Sequence, residues 1–97
     1  GTTDHIDRRP RWHIVAVLTT AKGPMVKVLP RIAQRIRRYY DAVIESPEIS
    51  EIRLFKTRNP YFNRFPVSGA FTAYVVDEGK LMSELSDAVP LPDDLWR

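Results

Sequence analysis

The chain has no cysteine. That absence removes disulfides and thiolate metal sites, and it fits a reducing compartment, so a cytoplasmic location is expected. Histidine is almost as scarce: His5 and His13 have no metal-ligand spacing, and no repeated carboxylate cluster supplies further ligands, so no bound metal is expected. The glycines, at 1, 23, 69 and 79, are scattered. The chain therefore lacks a phosphate-cradling glycine loop and a dinucleotide fingerprint, and it has no nucleophile elbow; no cofactor is expected. Spanning a bilayer takes about 20 consecutive apolar residues, whereas the longest run here is the strand-sized Ile14 to Leu18. No membrane contact is expected. Opening on Gly1 rather than Met is the usual mark of either a cleaved tag or an excised fragment, and the sequence leaves both readings open.

Positive charge is what the chain has in excess, and it is unevenly spread. Between Arg8 and Arg64 stand thirteen Lys or Arg residues against four acids, while after Arg64 only Lys80 and Arg97 oppose six acids. A basic segment of this kind suits a polyanion or a partner of opposite sign, and it fixes no chemistry. An apolar content of 43% with 10% aromatics is that of a globular chain rather than a disordered one. At 97 residues one domain is expected over 12–90, with a flexible basic arm over 1–11 and a tail over 91–97.

The string from His13 to Thr19 is β-branched and apolar, as in an interior strand covered on both faces. Ala21-Lys22-Gly23-Pro24 then turns the chain. The next stretch reads two ways. Met25, Leu29, Ile32, Ile36, Tyr39 or Tyr40, and Val43 make a helical stripe, which favours one long helix from about Pro24 to Ser46, disturbed at Pro30. Alternatively, Met25 to Leu29 is a strand paired with the first and Pro30 opens the helix. Both readings make 31–46 helical. Ser46-Pro47 stops it, Ser50 to Thr57 reads as a strand with a wet outer face, and Arg58 to Gly69 as a long loop. Ala70 to Val76 is expected as a third strand, and Leu81, Met82, Leu85 and Val89 as a short helix ended by Pro90. This order predicts an α+β domain: a two-layer antiparallel sheet with one long and one short helix on one face, close to a ferredoxin-like plait lacking its last strand.

The loop Arg58-Asn59-Pro60-Tyr61-Phe62-Asn63-Arg64-Phe65 is the foremost candidate site. Tyr61, Phe62 and Phe65 offer faces for base stacking, Arg58 and Arg64 charge for phosphates, and the asparagines amides for base edges. The competing reading has the three aromatics plugging the open end of a small core. On the long helix Lys27, Arg31, Arg35 and Arg38 are expected to line one face that tracks a phosphate backbone; the competing reading is a solvated face partly neutralised by Asp41 and Glu45. The expectation is thus a non-enzymatic domain that binds a polyanion, RNA or single-stranded DNA foremost. The alternative is an assembly or adaptor module that meets an acidic protein surface or oligomerises with its own copies through opposite-charge halves. A third reading, an enzyme, needs a pocket formed by Trp12, His13, Tyr39 and Tyr74.

Overall fold

The computed structural model describes residues 11–67 and 70–92. The arm expected over 1–11, except Arg11, and the tail beyond residue 92 lie outside the described residues. The chain builds β1 (His13–Thr20), β2 (Gly23–Leu29), α1 (Ala33–Ile44), β3 (Ile49–Thr57), a 3₁₀ helix (Pro60–Arg64), β4 (Tyr74–Val75), α2 (Glu78–Glu84) and β5 (Val89–Pro90). The strands form one antiparallel sheet in the order β4-β2-β1-β3-β5.

β1 and β2 form a hairpin, which corrects the favoured single helix from Pro24. Its register runs from Ile14 opposite Leu29 to Thr20 opposite Gly23. Pairing satisfies the backbone of β2 along its length, whereas a helix through Pro30 would lose a hydrogen bond and meet the proline ring. Neither Ala21 nor Lys22 has positive φ, so the usual two-residue hairpin turns are excluded, and Gly23 at φ 110° turns the chain instead. Thr20 closes the turn by donating its hydroxyl to the Gly23 carbonyl at 2.8 Å.

β2 and β3 both run antiparallel to β1 and so are parallel to each other. With α1 as the connection they make a split β-α-β unit that has β1 inserted in its middle. A ferredoxin-like plait contains two such units; the described residues contain one, because β1 passes to β2 by a hairpin. α1 begins at Ala33, with Ile32 as an extended residue before it and no side-chain cap.

The α+β class with an antiparallel sheet holds, but the helices do not share a face. Side chains along a strand alternate between faces, and β1 is apolar on both. Ala16 and Leu18 pack with Leu29 and Leu54 against Ile36, Tyr39, Tyr40 and Val43 of α1. On the opposite face Val15, Val26 and Val28 pack against Phe62 of the 3₁₀ helix and Leu81 of α2. The molecule is therefore three layers, with the sheet in the middle.

Two further expectations are corrected. Strand structure in 70–76 is confined to Tyr74–Val75, and Phe71 instead stacks on Tyr39 at 5.8 Å between centroids. Val89 is not helical: α2 ends at Glu84, and Val89–Pro90 pairs with Lys56 and Phe55 of β3. An edge position suits Pro90, which lacks an N–H to donate.

Candidate functional site

The sheet register gathers one group of aromatic and cationic side chains at a single end. His13 lies opposite Thr57, and Ile14 opposite Leu29, so Trp12, Arg31 and Arg58 all follow or precede the strands at that end. The Trp12 ring is flanked by Arg58 at 4.5 Å and Lys56 at 5.1 Å, both within cation–π range. His13 is half-buried, and desolvation, with the Arg31 charge second, holds its pKa below the ordinary value, which favours the neutral ring.

α1 starts at this end, since β2 delivers the chain there, and finishes near Thr20, where β3 begins opposite it. Arg31, Arg35 and Arg38 are exposed along the helix and its approach, and none has an acidic partner among the described residues. Asp41 pairs with Arg37 instead, at 3.6 Å and one helical turn apart. Lys27 does not belong to this face. It is on β2 opposite Ala16, buried on the α1 side of the sheet, and burial lowers its pKa.

The aromatic loop sits on the other face of the sheet from α1, so the two expected halves of the site do not converge. Phe62 is 0% exposed and belongs to the core with Val15, Val26 and Val28. Tyr61 meets Phe62 and Phe65 edge-on at 5.1 and 5.5 Å, and Phe65 also contacts Tyr74 at 5.7 Å. These rings plug the core, as the competing reading expected. Arg64 and Lys80 lie over Tyr61 at 5.1 and 5.5 Å, so the exposed part of the plug carries positive charge.

Asn59 is occupied structurally. Its side-chain oxygen accepts from the Tyr61 amide at 2.9 Å, capping the 3₁₀ helix, and its amide nitrogen donates at 2.7 Å to both the carbonyl and the carboxylate of Glu84. It thereby ties the loop to α2. The residues assigned to an enzyme pocket also separate, since Tyr39 packs on the α1 face while Tyr74 is paired opposite Val26 on the other.

One concavity was not legible in the sequence. A cavity of about 140 Å³ is lined by Leu29 and Pro30, by Arg35, Arg38 and Tyr39 of α1, and by Phe71. Tyr39 is 3% exposed and its hydroxyl has no hydrogen-bond partner among the described residues. Leaving a buried hydroxyl unmet costs about 1–3 kcal/mol. Burial pushes the phenol up to about 12, so at neutral pH it remains an O–H donor. Periodicity gave Tyr39 or Tyr40 as the buried position, and both are buried, Tyr39 with Phe71 stacked on its ring.

Comparison with protein-family models, with curated proteins and with solved structures finds no match.

Proposed function

We propose that this chain is a non-enzymatic domain that binds a polyanion, single-stranded nucleic acid or RNA foremost, through α1 and the adjoining end of the sheet. The observation that carries this reading is the exposure of Arg31, Arg35 and Arg38 without acidic partners among the described residues. Guanidinium groups match phosphate oxygens in geometry as well as charge. Arg58 and Lys56 around Trp12 extend the basic surface at the end where α1 starts. Phosphate contact therefore rests with α1 and the Trp12 end, while Phe62 has a core role and Tyr61 offers only a partly exposed ring.

Fluorescence anisotropy of labelled single-stranded RNA, single-stranded DNA and duplex DNA tests the reading at low and near-physiological salt. Saturable binding that prefers single strands is expected, with a salt slope of roughly 0.7 per phosphate neutralised. Charge reversal at Arg31, Arg35 and Arg38 should remove it. Binding indifferent to those substitutions, or none at all, would overturn the reading.

A second reading is supported by charge at the opposite end. The connection after α1 and the start of β3 carry Glu45, Glu48 and Glu51, and Val76, just before Asp77 and Glu78, is bonded to Pro24 beside the hairpin turn. An acidic end and a basic end on one molecule favour head-to-tail association of copies. Salt-sensitive oligomers in light scattering, with no nucleic-acid binding, would support it over the first.

A further inference from the structure

We propose that the outer edge of β3, beside the last turn of α1, adds an extended basic peptide of another protein as a further antiparallel strand. This stands apart from the polyanion reading, whose Arg31, Lys56 and Arg58 collect at the other end of the sheet, and it needs no association of copies. A strand edge presents backbone N–H and C=O groups to any chain that lies along it. β5 covers only part of this edge. It pairs with Phe55 and Lys56, and beyond them the Leu91 N–H donates to the Leu54 carbonyl at 2.8 Å. Backbone groups alternate in direction along a strand, so those of Ile52 point outward as those of Leu54 do. Among the described residues no backbone bond reaches Ile52 from that side.

The side chain that a new strand sets opposite Ile52 has a receptacle. A cleft of about 240 Å³ between β3 and α1 is lined by Tyr40, Ile44, Ile49, Ser50, Glu51 and Ile52. Directly opposed residues of an antiparallel pair project to the same face, and Ile52 packs on the α1 side. An aliphatic side chain at that position therefore enters the cleft and covers Ile44, which is 47% exposed. The residues on either side of it emerge on the other face, next to Glu51 and Arg53, which line a second concavity there.

Charge decides which peptide fits. Glu45 and Glu48 adjoin Ile44 and Ile49 in the chain, Glu51 lines the cleft, and none of the three has a cationic partner among the described residues. α1 ends at Ile44 with no basic side chain in its last turn, so the partial negative charge of the helix C-terminus adds to theirs. Arg53, the cation on this part of β3, lies over the Phe55 ring at 5.0 Å on the face opposite α1. An extended segment with an aliphatic residue followed by lysine satisfies edge, cleft and charge together.

The test titrates the full chain with the peptide Thr-Val-Lys-Val-Lys-Lys, blocked at both ends, which sets its first valine opposite Ile52 and its first lysine opposite Glu51. Saturable binding is expected, with the Ile52 amide slowed in hydrogen exchange. In this register the N–H of the first valine faces the Ile52 carbonyl, so N-methylation there should weaken binding about tenfold or more. The first lysine directs its N–H away from β3, and N-methylation of that residue should be tolerated. Ile44→Gln and Glu48→Lys, both at exposed positions, should each weaken binding at an unchanged melting temperature, whereas Gln34→Ala, in the first turn of α1, should leave it as it is. No binding, or equal binding by the two methylated peptides, would overturn the inference; in the second case charge alone holds the peptide. Binding gained only by a chain cut after Pro92 would mean that residues 93–97 fill the edge, and it would also overturn a partner in trans. Each of these results leaves the polyanion reading standing, because single-strand binding is measured at the other end of the sheet.

Discussion

Phe62 and His13 carry the clearest expectations for single residues. Phe62 has no exposed surface and joins three valines of β1 and β2 to the 3₁₀ helix. Phe62→Ala should therefore cost about 3–5 kcal/mol of stability in a denaturant titration, the range for a buried phenylalanine left as a cavity. A purely ligand-stacking phenylalanine would cost almost nothing there. His13 has a pKa below its ordinary value because burial and Arg31 disfavour the charged ring. The unfolded chain then binds the proton more readily, so the folded state loses stability as pH falls below the unfolded value of about 6.5, and the loss is complete below the folded pKa. Melting curves between pH 8 and pH 5 should show this decline, and His13→Gln should flatten it. The aromatic character of the loop was visible in the sequence. Which of its rings face the core was not, since Tyr61, Phe62 and Phe65 are all aromatic within five residues and only the packing over β1 and β2 assigns Phe62 inward.

Among the elements, the hairpin and the 3₁₀ helix carry the most information. Met25 and Leu29 are four residues apart, a spacing that is both two strand repeats and about one helical turn, so they fit either pattern. Val26 and Val28, which the helical stripe leaves unused, are the residues that decide for a strand, and they are buried on the face opposite α1. In α1 the period placed Ile36 and Val43 on the buried face and left Tyr39 or Tyr40 open; the buried residues are Ile36, Tyr39, Tyr40 and Val43, so both tyrosines face inward. The 3₁₀ helix depends on Asn59 for its cap and for its tether to Glu84. Asn59→Ala should cost about 1–2 kcal/mol, the upper part of the range for a lost cap, and hydrogen exchange should accelerate in both the loop and α2. Acceleration confined to the loop would mean that the tether contributes nothing.

At the scale of the whole molecule the charge map becomes directional. Arg31, Lys56 and Arg58 collect at the end where β1 begins, and Glu45, Glu48 and Glu51 at the end where it finishes. Glu84 and Asp87 belong to the opposite face, where they are engaged by Asn59 and Thr57. Attraction between a basic surface and a polyanion is screened over about 8–10 Å at physiological salt. Raising salt from low to near-physiological should therefore weaken single-strand binding by an order of magnitude or more if three phosphates are neutralised. Arg31→Glu should reduce both the affinity and the salt slope, whereas Arg64→Glu, on the far face, should change them little. Equal effects from the two substitutions would mean that the ligand wraps both faces.

The sequence by itself determined the apolar β1, the buried stripe of α1, the antiparallel α+β class and the excess of positive charge before residue 65. Each of these is local: alternation, period and composition are properties of short stretches and need no knowledge of what lies across the sheet. Only the tertiary structure decided that a second covering layer lies on the face opposite α1, because β1 is apolar on both sides and the 3₁₀ helix and α2 reach it from distant positions in the chain. The same long-range contacts bury Lys27 and Phe62, separate the loop from the basic helix, and stack Phe71 on Tyr39, whose buried hydroxyl has no partner among the described residues. A single-residue pattern records how apolar a side chain is; which neighbours meet its polar atoms is fixed only when the chain has folded.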